Sequence, residues 1–408
     1  MAAVNLGPWP AGMNNVAPDH ALPTSKYGRT VAVRNAVNAD IDSEGWLRRR
    51  AGYTKILAGA NTRGGYACAA GTYFVQGSKL YRLNTDNSKT ELCDGILGDE
   101  ITYEHFNGVV YFSDGLVTKR ITAAGAGEWG LDVPAAPTVY AVTGALPPGT
   151  YVAAITTVDA DGRESGASET AAITLNVASG IRIAGLPSGK NARLYLSTNN
   201  GTTPFMVATT GADSYDITLP GYDSGKPLDT QFMTKPPAGR IIRHFNGRFY
   251  IADALGTVWF TEPYASDLVH RARGFFQFTA PVAVMEPGES GMWFVAETTE
   301  FYAGGGPEDF KVSQKLGYGA IYGTSQVLPR TQDAIWYSAK GVVMGTKDGQ
   351  AENLQEKNVA ADSGTSGASL IREQDGIRQM VVSVRDPNVS PLAATSFLEM
   401  EVIRKAAQ

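Results

Sequence analysis

A ten-residue segment occurs twice in this chain and restricts the fold more than any other feature. Residues 105–114 read His-Phe-Asn-Gly-Val-Val-Tyr-Phe-Ser-Asp and residues 244–253 read His-Phe-Asn-Gly-Arg-Phe-Tyr-Ile-Ala-Asp, identical at six of ten positions. Asn-Gly is the pair favoured in a type I′ hairpin turn, where both central residues take positive φ. His105, Asn107 and Gly108 therefore share a slot with His244, Asn246 and Gly247. The aromatic run after each turn reads as a strand, and Asp114-Gly115 and Leu255-Gly256 turn into the strands that follow. Weaker copies pair 72–75 with 79–83, 292–295 with 300–303, 334–337 with 341–344, and 379–382 with 397–400. A lone hairpin cannot bury both faces. Hairpins stacked radially do so, which predicts β-propeller blades.

Composition agrees with short strands and tight turns. The chain has 408 residues, 46 of them Gly, with 10% aromatic and only 18% charged residues. This argues against a coiled coil or helix bundle, and the apolar content argues against disorder. A net charge of −5 argues against a protein whose main task is to grip nucleic acid. The opening residues lack the basic region and apolar core of a signal peptide, and no apolar run is long enough to span a membrane.

Two proline-rich joints, 132–137 and 235–239, bracket a block of alternating Thr, Val, Ile and Tyr runs. Its length and rhythm predict a fibronectin type III-like β-sandwich inserted between blades. The expected organisation is an extended arm at 1–29, propeller at 30–133, sandwich at 134–235 and propeller again at 236–408. After the arm and insert are removed, roughly 280 residues remain, enough for about six blades at ~40–45 residues each. A hairpin within 30–58, turning at 42–45, and a last strand at 397–404 are expected to share one blade and close the ring. The arm has four prolines among its apolar anchors Trp9, Met13 and Leu22. It gains order only against its own domain or a neighbouring subunit.

Residues that carry chemistry are sparse. The sequence has no Gly-x-Ser-x-Gly, His-Glu-x-x-His, Walker loop or zinc-spaced Cys pair. No catalytic residue, metal or cofactor is expected. Cys68 and Cys93 close two neighbouring strand-like runs, as buried free thiols or a cross-strand disulfide. The repeated His105 and His244 read as packing residues rather than ligands or bases. Gly304-Gly305-Gly306 precedes Pro307 and reads as a loop, as does Glu308-Asp309. Ser197–Thr203 is a degenerate match to the Asp-box of sialidases, placed in the insert and not in a blade. Arg48-Arg49-Arg50 and His270-Arg271-Ala272-Arg273 either meet phosphates or an acidic protein rim, or are solvated.

Several segments resemble one family. They are Gly12-Met13-Asn14-Asn15, Pro18, Leu22-Pro23, residues 34–42 and Gly45-Trp46-Leu47-Arg48-Arg49-Arg50-Ala51-Gly52-Tyr53. Further echoes are Pro236–Gly239, His244–Arg248, Phe260–Pro263 and Glu297–Gly304. Together they resemble the tail nozzle, or hub, proteins of short-tailed bacteriophages, also called packaged-DNA stabilisation proteins. The resemblance implies a non-enzymatic, propeller-based virion protein, assembled in the host cytoplasm into a hexameric ring below the portal and adaptor. Its implied partners are its own copies, the portal–adaptor complex, tail fibre or needle proteins, and genomic DNA passing without sequence-specific binding. Trp9, Met13, Asn14, Asn15, Leu22, Trp46, Arg48, Arg49 and Arg50 are the subunit or adaptor contacts that this reading favours. The competing expectations are an adhesin that binds host glycans and, more remotely, a propeller glycoside hydrolase.

Overall fold

The computed structural model describes residues 7–385 except 38, 43, 50, 51, 53, 375 and 376. The chain is all-β: the described residues form antiparallel sheets and a single 3-10 turn, Asp19–Ala21. It divides into two compact units. One comprises Met1–Arg63, Leu83–Thr90 and Phe278–Gln408, and the other Gly64–Arg82 and Glu91–Gln277.

A short hairpin joins β1 (Ala39–Ile41) to β2 (Leu47–Arg49). Sheet A is the meander β3 (Thr62–Cys68), β4 (Gly71–Gln76), β5 (Lys79–Leu83) and β6 (Lys89–Cys93). Sheet B follows as β7 (Thr102–Phe106), β8 (Val109–Ser113), β9 (Thr118–Thr122) and β10 (Gly125–Glu128). The insert then contributes β11 (Thr138–Leu146), β12 (Gly149–Val158), β13 (Ala171–Leu175), β14 (Ser179–Ala184), β15 (Asn191–Ser197), β16 (Pro204–Thr210) and β17 (Ser214–Ile217). Sheet C holds β18 (Met233–Thr234), β19 (Ile241–Phe245), β20 (Arg248–Ala252), β21 (Thr257–Glu262), β22 (Ala265–His270) and β23 (Phe275–Gln277). Sheet D is β24 (Val284–Pro287), β25 (Gly291–Val295), β26 (Thr299–Ala303) and β27 (Lys311–Leu316). Sheet E is β28 (Gln326–Val327), β29 (Ala334–Ser338), β30 (Gly341–Gly345) and β31 (Ala351–Asn353), and the hairpin β32 (Ser366–Gln374)–β33 (Ile377–Arg385) comes last.

The period-2 alternation of each strand explains how the sheets stack. In β8, Val110 and Phe112 enter the core shared with sheet A, beside Tyr73, Val75 and Tyr103. Val109 and Tyr111 point the other way, into the core shared with sheet C, beside Trp129, Phe249 and Ile251. A strand buried on both faces reads as a continuous apolar run, and Val109–Phe112 is one. The other unit repeats this logic. Ala334 and Trp336 of β29 pack on Trp293 and Phe301 of sheet D, while Ile335 and Tyr337 pack on Ile371 and Met380 of the last hairpin.

Both Asn-Gly pairs form the anticipated turns, with φ of 49° and 75° at Asn107-Gly108 and 45° and 78° at Asn246-Gly247. Three of the four weaker repeats are likewise β4–β5, β25–β26 and β29–β30. The fourth is corrected in part. Its first half lies in β33, which pairs with β32 in register Ser366↔Arg385 to Gln374↔Ile377. Its second half, and the ring-closing strand expected at 397–404, lie outside the described residues. The first hairpin also differs from expectation. Asp42, Glu44 and Gly45 lie at its turn, but among the described residues before it only 39–41 form the first strand. Residues 30–37 contribute isolated bridges, Met13↔Val33 and Thr24↔Thr30. Cys68 and Cys93 are free and half-buried, on the two edge strands of sheet A, with β4 and β5 between them.

The insert is a two-sheet sandwich. A three-stranded sheet, β11-β14-β17, and a four-stranded sheet, β13-β12-β15-β16, share a core of Leu146, Tyr151, Ile155, Ile181, Leu194 and Leu196.

Gly345 shows how closely sheets D and E approach. A Cβ there would lie 2.7 Å from both the Trp293 and the Trp336 rings. Neither buried indole has room to move, so Gly345→Ala is expected to lower stability by about 1–3 kcal/mol through overpacking. Urea unfolding followed by tryptophan fluorescence measures this directly.

Candidate functional site

A strand at the edge of a meander leaves every second backbone N–H without a ladder partner. In β7 and β19, pairing inward at 106↔109 and 245↔248 leaves the amides of His105, Ile242 and His244 facing outward. Side chains of the preceding sheet meet them. The Ile242 amide donates to Thr102 Oγ1 at 3.1 Å and the His244 amide to Glu104 Oε1 at 3.1 Å. The His105 amide bonds the Tyr66 phenol of β3, whose acidity burial and the Glu104 charge suppress. Thr102 and Glu104 are two apart, so both face β19. Phe106, the next on that face, stacks on the His244 ring at 3.7 Å. β3, β7 and β19 thus form a wall sewn by side chains.

The two repeated histidines occupy matching turn-proximal slots. His244 is packed between Phe106 and Phe249, and its Nε2 is buried without a hydrogen-bond partner. Burial of the ring lowers its pKa below the ordinary 6.5.

The other unit has a related contact. Glu286 of β24 is only 1% exposed and accepts from Ser325 Oγ, just before β28, at 2.7 Å. Glu104 and Glu286 are both the third residue of their sheet's first strand.

The sequence-selected arm lies along its own chain. The Trp9 amide donates to the Gly45 carbonyl at 2.7 Å, and Gly7 sits between the Trp9 and Trp46 rings. Gly45 takes φ 85° against Pro10, an approach a Cβ would block. Asn14 is buried. Its carbonyl-type Oδ1 accepts the Val16 and Ala17 amides, and its Nδ2 reaches Asn358 Oδ1 at 3.5 Å. Asn15 brackets the same segment, donating to the Asn358 carbonyl and accepting from Ala360. Met13 and Leu22 are half-buried. Arg48 and Arg49 are exposed on β2, and Arg48 pairs with Asp42 at 2.9 Å. Arg50 lies outside the described residues. Of the second basic cluster, Arg271 meets Glu169 at 3.5 Å and Arg273 meets Glu262 at 3.9 Å.

The insert is tied down at its root. Arg163 chelates Asp159 at 2.7 Å, reaches Asp267 of β22 at 3.6 Å and donates to the Glu128 carbonyl at 3.3 Å. Arg120 of β9 pairs with Asp161 at 3.1 Å. Burial pushes the Asp267 carboxyl above the usual carboxylate range, and the Arg163 and Arg120 charges oppose this.

Sequence reasoning missed an open cleft of about 510 Å³ beside this root. It is assembled from β9 and β10, the 234–238 joint, and Trp259 and Arg271 of sheet C. No local motif signals it, because its walls come from three distant segments.

No family model matches the chain, and no curated protein matches it. Among solved structures it is similar to BBS1N, from a complex with ARL6DN, at 11% identity and a TM-score of 0.31. That match covers 83% of this chain and 97% of the other. It is also similar to the Neurospora crassa Pan2 WD40 domain, at 11% identity and a TM-score of 0.27, over 80% of this chain and 85% of the other. Neither likeness assigns a family or an activity.

Two outcomes test the wall. Glu104→Ala leaves the His244 amide without its acceptor and is expected to cost about 1–3 kcal/mol, whereas Glu104→Gln, which keeps an acceptor, costs less. As pH falls through 6.5, His244 protonates in the unfolded chain before it does so in the fold. Its contribution to stability is therefore present above that pH and lost below it. Thermal unfolding between pH 7.5 and 5 is expected to show this loss, and His244→Phe to flatten it.

Proposed function

We propose that sheets A to E are blades of a propeller-like hub of about six, with 134–235 a fibronectin type III-like decoration. We further propose that the chain is a structural tail nozzle protein of a short-tailed bacteriophage. In this role it forms a ring below the portal and adaptor, retains packaged DNA and guides its ejection, without enzymatic activity. The observation that carries the reading is the serial stacking of sheets in chain order. Sheets A, B and C lie face to face in one unit, and sheets D and E with the last hairpin do so in the other. The block whose sequence resembles nozzle proteins, residues 12–53, supports it further, because its Asn14, Asn15 and Trp46, with Trp9 just before it, hold the arm in a defined path.

A ring needs heterologous contacts that close on themselves. The exposed Arg48 and Arg49 and the outer surface of the arm are proposed to meet the next subunit or the adaptor. An acidic chain suits a conduit, since a basic lumen would hold DNA by releasing its counterions.

Native mass spectrometry of the purified protein, with cryo-electron microscopy of virions, tests the reading. The expected results are a sixfold multiple of the chain mass and density on the tail axis. A persistent monomer, or density away from that axis, would contradict it. A host-glycan adhesin is the second reading, favoured by the open cleft. Antibody labelling of intact virions separates the two, because an adhesin is reachable at the tail periphery.

A further inference from the structure

We propose that the cleft between β9–β10, the 234–238 joint and sheet C binds an acidic sugar unit, a pyranose bearing a carboxylate. The proposal does not depend on ring assembly, since a ring subunit and a free monomer would present the same walls.

Three features of the cleft converge on this chemistry. The first is charge. Lys119, Lys235 and Arg271 line it with one acid, Glu128, which Lys119 holds in an ion pair. The partners of two of these cations lie outside the lining. Lys235 pairs with Asp132 at 2.8 Å and Arg271 with Glu169 at 3.5 Å. The two acids are 74% and 78% exposed, and such surface pairs hold weakly. A ligand carboxylate in the cleft competes with them on favourable terms.

The second feature is a rigid apolar platform. Pro236 and Pro237 flank the cleft together with Trp259. The indole leans on Phe275, ring centroids 5.1 Å apart, and its Nε1–H points to Asp253 Oδ2 at 3.4 Å. A ring held this way loses little freedom when a second flat face, such as the C–H face of a pyranose, is laid on it. Thr118 and Thr234 line the same space, and their hydroxyls are the proposed partners for sugar hydroxyls.

The third feature is what the walls lack. Pro236 and Pro237 have no N–H, so this stretch cannot pair with an added peptide strand. The volume of about 510 Å³ lies within the range of small-ligand sites. Both facts favour a compact ring over an extended acidic peptide.

Saturation-transfer NMR and calorimetry on the full chain test this, with sodium glucuronate, an oligouronate and glucose as probes. Glucuronate is expected to bind saturably and glucose about tenfold more weakly, because only the former meets the cations. The oligouronate distinguishes a polymer from a free acid: tighter binding than the monomer marks a chain-borne sugar, and equal binding marks a free one. Lys235→Gln with Arg271→Gln is expected to weaken glucuronate binding at least about tenfold while leaving the far-ultraviolet spectrum unchanged. Trp259→Phe is expected to weaken both sugars alike. Equal affinity for glucose and glucuronate, no binding of either, or unchanged binding by the folded double variant would overturn the proposal. So would capture of a glutamate-rich peptide without glucuronate.

Discussion

The carboxylate of Glu104 accepts the main-chain N–H of His244, and two residues earlier Thr102 does the same for Ile242. These contacts answer the oldest problem of an open meander, which is what to do with the unpaired edge of its first strand. A continuous ladder would fuse the sheets into one flat surface. Side chains instead satisfy the outward amides and leave each sheet free to turn its face against the next. The serial cores follow from that freedom. Phe112 faces sheet A and Tyr111 faces sheet C because β8 sits in a sheet covered on both sides.

The insert shows the same economy of attachment. Its own core is closed between its two sheets. Its position depends on charge: Arg163 alone reaches Asp159, Asp267 and the Glu128 carbonyl. Those groups lie beside the cleft, since Glu128 belongs to both. Arg120 and Arg271 add pairs to Asp161 and Glu169 of the insert, so several arginines couple its orientation to the cleft.

Much of the fold was legible because its signals are local. Asn107-Gly108 and Asn246-Gly247 need only their own φ angles to be recognised as turns, and the strands on either side follow from alternation. The latches were not legible. Glu104 and His244 are separated by 140 positions, and nothing near Glu104 distinguishes a latch from a solvated acid. The pairing of β33 with β32 was missed because 366–374 has Ser, Gly, Arg and Glu among its apolar residues, which disguises a strand. Cys68 and Cys93 looked like neighbours in sequence order, yet a meander puts its first and last strands on opposite edges. The sequence of the arm leaves open whether it packs on its own domain or on a neighbouring subunit. The arm's partners, Gly45 and Asn358, are remote in sequence and small or polar, so only the folded chain brings them together.

Residue-resolved hydrogen exchange tests most directly the claim that side chains replace a ladder between β3, β7 and β19. The outward amides of Ile242 and His244 are expected to exchange as slowly as the ladder-bonded amides of β20. In Glu104→Ala, His244 alone should lose that protection while Ile242 keeps it. If both amides exchange as fast as exposed loop amides in the wild-type chain, the sheets are not joined in this way and the account fails.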